Sequence, residues 1–164
     1  MNDILIITGT CGVGKTTLCL SWAKRRQGAC IECDEFRGWI KQKELRRADR
    51  YQESLLARQA CSLAKEYLQL HLDVALDNVW TPKGLKIIKA RLSGKARIRV
   101  FWLNCSKEEN RKRDKGRSPS KVMGGRVDEL QAELEAMRWP GYVIKLDTTG
   151  QSPARTLEAI EKRF

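Results

Sequence analysis

A chain of 164 residues, 41% hydrophobic and 32% charged, carries enough apolar side chains for one substantial core and is too short for two domains. Its apolar runs stop at four residues, as at 4–7, far from the roughly 20 of a membrane-spanning helix, and the start lacks the basic segment and cleavage site of a signal peptide. The net charge of +12 is concentrated: residues 83–121 hold fourteen Lys and Arg against three Asp and Glu, hence +11, which calls for anionic ligands or a nucleic-acid face.

Residues 4–7 read as a buried parallel strand ending in Thr8-Gly9. A helix is predicted over 15–26, with Leu18 and Trp22 on one face and Lys24, Arg25 and Arg26 at its negative end. Residues 29–33 form a second strand that runs into Asp34-Glu35. Leu55, Leu56, Leu63, Tyr67 and Leu70 give helical spacing over 49–70, and residues 74–76 make a third strand closed by Asp77. Thr81-Pro82 then reads as an N-cap and first helical residue, ahead of a face made by Leu85, Ile88 and Leu92.

A fourth strand covers 98–103, and Ser106-Lys107-Glu108-Glu109 reads as a capping box opening another helix. Residues 115–125 are basic and irregular, as a mobile loop would be. Val127, Leu130, Leu134 and Met137 mark an amphipathic helix, residues 142–146 a fifth strand, and Ser152-Pro153 the start of the last helix. Strands alternating with helices five times over predict an α/β protein with a parallel sheet covered on both faces.

The six cysteines are scattered through predicted helices and strands, which suits a reducing, cytoplasmic compartment. Cys30 and Cys33 form a C-x-x-C, but three residues apart in a strand they point to opposite faces, and His71 is the only histidine. No metal or redox role is expected of them.

Gly9-Thr10-Cys11-Gly12-Val13-Gly14-Lys15-Thr16 satisfies G-x-x-x-x-G-K-[ST] between the first strand and the first helix. Its glycines let successive N–H groups of Cys11, Gly12, Val13 and Gly14 turn inward on phosphate oxygens, and the helix beginning at Lys15, Thr16 and Thr17 adds its positive end. Lys15 reaches the β- and γ-phosphates and the Thr16 hydroxyl ligates Mg²⁺. No N-K-x-D base-reading motif is present, and Asp147-Thr148-Thr149-Gly150 falls after the last strand rather than an early one, which excludes a GTPase. The length argues against a motor-type ATPase with its extra helical domain. A compact ATP- and Mg²⁺-dependent kinase remains.

About twenty residues after the phosphate loop, Cys33-Asp34-Glu35-Phe36-Arg37 ends the second strand. A carboxylate there can face the γ-phosphate across an acceptor hydroxyl, and Arg37 can hold a polar or anionic part of the acceptor. Residues 4–37 resemble a group of P-loop kinases that includes polynucleotide 5′-hydroxyl kinases, gluconate and shikimate kinases and chloramphenicol phosphotransferase. Within that group the Asp34/Arg37 spacing is most similar to the kinase domain of phage-type polynucleotide kinase.

The resemblance implies a nucleotide-kinase-like three-layer sandwich, one domain over 1–164, with five parallel strands in the order 2-3-1-4-5 and a lid at about 111–125. It implies Asp34 as general base and Arg37 as anchor of the acceptor. It also implies Arg111 or Arg113 against adenine, and Arg117 against the transferring phosphoryl group. Asp77, the carboxylate ending strand three, is the second candidate Mg²⁺ ligand. Trp39 and Trp80 each follow a strand that ends at the active face and are candidates to stack on an acceptor; Trp22 and Trp102 read as core. Asp77-Asn78 departs from the Asp-Thr-Asn run of polynucleotide kinases, so the acceptor's identity does not carry over.

Most of the basic segment falls away from this site. Lys83, Lys86, Lys89 and Arg91 lie off the apolar helix face, and Lys95, Arg97 and Arg99 begin strand four, at the end of the sheet opposite the phosphate loop. The expectation is a small hydroxyl acceptor, a nucleoside or an antibiotic-like alcohol. The alternatives are a 5′-hydroxyl polynucleotide or a nucleic-acid-binding ATPase switch.

Overall fold

A computed structural model describes residues 1–42 and 49–164. Strand β1 (Asp3–Gly9) is buried along its whole length and its two faces divide the core. Ile4 and Ile6 face one cluster, with Ile31, Phe36, Leu76, Trp80, Leu85 and Ile88. Leu5 and Ile7 face the other, with Leu18, Trp22, Phe101, Leu103, Leu146 and Ile160. Alternation with a period of two is what makes one strand serve both sides of a sheet.

Around it lie β2 (Ala29–Glu32), β3 (Val74–Asp77), β4 (Arg97–Asn104) and β5 (Val143–Asp147), all parallel, in the order β2-β3-β1-β4-β5. This is the predicted order. Helices α2 (Glu35–Trp39), α3 (Asp49–Gln69) and α4 (Pro82–Leu92) cover the first face, and α1 (Lys15–Arg25) and α7 (Pro153–Glu161) the second. After β4 come α5 (Lys107–Lys115), a single 3₁₀ turn (Pro119–Lys121) and α6 (Arg126–Glu135).

The caps explain several boundaries. The side chains of Thr81 and Ser152 accept from the backbone N–H groups of Lys83 and Arg155, each ahead of a proline in the first turn. The capping box predicted at Ser106 forms by half. Ser106 Oγ accepts from Glu109 N–H at 3.2 Å, but the Glu109 carboxylate binds Arg113 instead, and the Ser106 N–H donates to Thr149 Oγ1. An arginine one turn on is the stronger partner for that carboxylate.

At the end of the sheet where the strands begin, Asp3 receives two bonds from Arg97, at 2.7 and 2.8 Å, and one from Arg26 at 2.7 Å. Burial alone would push its carboxyl up, but the two guanidinium groups hold it below the ordinary range. Arg97 is therefore a structural cation. Cys30 and Cys33 belong to opposite clusters, as their spacing predicts, and all six cysteines are free thiols. Among the described residues no helix is long and apolar enough to cross a membrane.

Candidate active site

Because every strand runs the same way, the C-terminal ends of β1, β2 and β3 bring Gly9, Cys33 and Asp77 to one edge of the sheet, where ligands of open α/β folds bind. The loop between β1 and α1 needs its glycines there. A side chain at Gly9 would collide with the Leu103 carbonyl, and Gly12, at φ 79°, packs against the backbone of α5. Lys15 is buried and its Nζ donates to the Thr10 carbonyl at 3.0 Å, which folds the ammonium back across the loop.

Thr16, in the first turn of α1, donates its hydroxyl to Asp77 Oδ2 at the end of β3. The other oxygen, Asp77 Oδ1, is buried without a partner among the described residues. Burial pushes the Asp77 carboxyl up, opposed by the Lys15 charge and the Thr16 bond. A hydroxyl beside a carboxylate with one uncommitted oxygen is a donor set for a hard dication that keeps its remaining ligands from water and phosphate. The described residues hold no cluster of three or more His, Cys, Asp or Glu suited to a metal. Mg²⁺, which commonly uses one or two protein oxygens, fits this pair.

Asp34 follows β2 and its side chain is 66% exposed. It lies 3.4 Å from Arg37 Nε one turn along, while Arg37 Nη1 donates to Gln52 Oε1 of α3 at 2.8 Å. Asp34, Arg37, Cys11, Thr16, Asp77 and Arg117 line a single cavity of about 660 Å³. Glu53, Thr81, Lys121 and Arg126 complete much of its wall. A second cavity, about 270 Å³, lies on the other side of the phosphate loop between Val13, Gly14, Thr17, Leu18, Arg113, Thr148 and Gln151.

One of the predicted contacts is corrected here. Trp80 has 0% exposure and lies in the core with Phe36 and Leu85, so its ring cannot stack on an acceptor. Its backbone is held by Thr8, whose Oγ1 accepts from the Trp80 N–H and donates to the Trp80 carbonyl. Arg111 lines neither of these two cavities and grips Asp128 of α6 with bonds of 2.6 and 2.8 Å. Arg113 bonds Glu109, Thr148 Oγ1 and the Thr148 carbonyl, and edges the second cavity.

Trp39 is 63% exposed and packs its ring on Phe36, outside the wall of the larger cavity. The region 115–125 is less irregular than its composition suggests. It contains the 3₁₀ turn, and its end is tied to α5 through the Asp114 carboxylate.

Glu53 carries no motif in the sequence. Its carboxylate takes both the N–H and the hydroxyl of Thr81, at 2.6 and 2.8 Å, and so fixes the start of α4 at the cavity wall.

An AAA domain family model matches residues 4–138. The chain belongs to this family. A sequence search of curated proteins finds no match. In structure the chain is similar to a sugar kinase from Janibacter sp. HTCC2649, at 15% identity and a TM-score of 0.76, covering 99% of this chain and 94% of that one. A tunicamycin resistance protein of Deinococcus radiodurans matches at 18% identity and a TM-score of 0.67, with coverage of 99% and 95%. The APS kinase of Mycobacterium tuberculosis, solved with AMPPNP and APS, matches at 12% identity and 0.63, with coverage of 98% and 96%.

These likenesses agree with the five-stranded order and show that the chain shares its fold with the sugar kinase and the APS kinase. The family carries the AAA name, and this chain covers 94–96% of each of these neighbours.

Proposed function

We propose that this protein is an ATP- and Mg²⁺-dependent phosphotransferase that moves the γ-phosphoryl group of ATP to a hydroxyl of a small molecule. The observation that carries the reading is the single 660 Å³ cavity joining Thr16 and Asp77 to Asp34, Arg37 and Arg117. The phosphate loop from Gly9 to Thr16, with Thr17, cradles the triphosphate, and adenine enters the smaller cavity beside Arg113.

Thr16 and Asp77 would hold Mg²⁺, which when bound screens the phosphate charge. Asp34 accepts the proton of the acceptor hydroxyl as its oxygen bonds phosphorus and the bond to the β-phosphate oxygen breaks. Lys15 and Arg117 stabilise the charge on the phosphoryl oxygens. Arg37, bonded to Gln52 and paired with Asp34, orients that carboxylate and borders the acceptor. The free thiols suit a cytoplasmic enzyme.

A transfer screen with labelled ATP tests this reading, across nucleosides, 5′-hydroxyl oligonucleotides, sugars and antibiotic-like alcohols. Label should move to one class of alcohol, and Lys15→Ala should lower the rate by about 10² or more in a folded protein. Undiminished transfer by Lys15→Ala would sink it.

A further inference from the structure

One face of α5 is polar and yet buried. Buried Asn110 and Asp114 and half-buried Arg113 lie on it at helical spacing, and half-buried Arg117 continues the row just past the helix. Asn110 has 0% exposure, and neither of its amide atoms finds a partner among the described residues. Its Oδ1 and the Asp114 backbone both lie within 3.4 Å of where a side chain on Gly12 would begin. The phosphate loop therefore rests directly on this row.

The Asp114 side chain is only 3% exposed. A carboxylate is costly to bury unless donors surround it, and here three groups do. The N–H groups of Met123 and Gly124 donate to Oδ2 at 3.0 and 2.9 Å, and Arg117 Nη1 reaches Oδ1 at 3.3 Å. One residue thus touches the phosphate loop with its backbone, and with its side chain both Arg117 and the Met123 and Gly124 N–H groups just past the 116–122 segment.

We propose that Asp114 is a positioning residue of phosphoryl transfer: it holds Arg117 in the larger cavity and ties the 116–122 segment to the helix that supports Gly12. The inference rests on the reading of Arg117 as the group that faces the transferring phosphoryl. Asp114 itself touches neither nucleotide nor acceptor. Its charge does two jobs, pinning the turn at 123–124 and keeping the guanidinium within one side chain's reach of the phosphate loop. Arg117 can then exchange one oxygen anion for another as phosphate arrives, without crossing open solvent.

The test is a double-mutant cycle on the full chain: wild type, Asp114→Asn, Arg117→Ala and the double variant. The probes are release of ADP from ATP with water as acceptor, binding of a fluorescent ATP analogue, and tryptic cleavage after Arg117 or Lys121 with and without the analogue. Asp114→Asn should lower turnover by about tenfold or more and leave analogue affinity within about threefold. Added to Arg117→Ala it should cost nothing further, as expected of a residue acting through another.

Trypsin should cut Asp114→Asn faster than wild type after Lys121, and the analogue should no longer protect that site. Losses that multiply in the double variant, or full turnover in Asp114→Asn, would overturn the positioning role. Unchanged turnover in Arg117→Ala would overturn it too, by removing the residue it acts through. Where the Asp114→Asn protein melts too early to assay, Asp114→Ser, which keeps an oxygen for the Met123 and Gly124 N–H groups, must give the same non-additive loss or the proposal falls. The transferase reading stands apart, because label transfer by the wild-type protein and its loss in Lys15→Ala decide that reading alone.

Discussion

The Thr16 hydroxyl donates to a carboxylate oxygen of Asp77, so the first turn of α1 and the last residue of β3 meet at one pair of oxygens. This bond fixes the spacing of the two groups that would share Mg²⁺. It also leaves Asp77 Oδ1 buried and uncommitted.

Asp77 gives the first prediction. Burial raises its carboxyl above the ordinary 3.8 despite Lys15 and Thr16. The folded protein therefore holds that proton more tightly than the unfolded chain does. The ionised group costs stability at neutral pH, and that cost is removed as pH falls through the raised value towards 3.8. Asp77→Asn should raise the melting temperature at neutral pH in Mg²⁺-free buffer, by a few degrees, and flatten this part of the pH profile. Transfer activity should be lost in the same protein. Thermal melts with and without Mg²⁺ check both halves; a lower melting temperature would count against the burial argument.

The second concerns Asp34. A base that takes the acceptor proton acts on turnover and not on nucleotide binding. Asp34→Asn should keep ATP-analogue affinity and lose about 10²–10⁴ in turnover. Lost affinity with unchanged turnover would move Asp34 to the nucleotide or metal, and full activity would make it a turn residue.

How much of this was legible in the sequence depends on how local each signal is. The phosphate loop spans eight consecutive residues and its geometry follows from its glycines, so it is complete in the sequence. The Thr81 and Ser152 caps are equally local. Trp80 misled because proximity to Asp77 in the chain says nothing of which way a ring turns. Thr8, far off in the sequence, anchors its backbone at the core. Arg111 and Arg113, two apart on a helix, face nearly opposite ways, so only Arg113 borders the smaller cavity, and the phase is set by how α5 packs on Gly12. Glu53 and Asp114 act through partners that the chain alone does not connect.

Glu53 supplies the third prediction. Its carboxylate satisfies two donors of Thr81 at the entrance to α4, and hydrogen bonds to a charged group are worth about 1.5–3 kcal/mol each way of counting. Glu53→Ala should lower stability by about that amount, with a shallower loss in Glu53→Gln, which keeps one acceptor. Denaturant titration measures it. Gly84 tests the same packing from the other side, since a side chain there would run into the Glu53 carboxylate: Gly84→Ala should also destabilise. A neutral Gly84→Ala would mean that Glu53 yields readily.

The last prediction separates a small acceptor from a polynucleotide. Counterion release makes a polyanion held by several phosphate contacts lose orders of magnitude in affinity between about 50 and 200 mM salt. Several of the cations that such contacts would need are committed or lie off the larger cavity. Arg97 is bound to Asp3, Arg99 Nε donates to the Arg163 carbonyl, Arg111 to Asp128 and Arg113 to Glu109 and Thr148. Lys86 and Lys89 are exposed on α4, and the Lys89 ammonium lies 3.6 Å over the Tyr142 ring. Of residues 83–121 only Arg117 and Lys121 line the larger cavity, and on the proposed function a triphosphate would already call on positive charge there. Arg37, the group that would anchor a nucleotide phosphate, is spanned between Gln52 and Asp34. The apparent acceptor affinity should therefore change by no more than about threefold across that salt range, as expected when few ions are released. A steep fall, together with label on an oligonucleotide 5′ end, would make the acceptor a polynucleotide and turn the basic segment into its track.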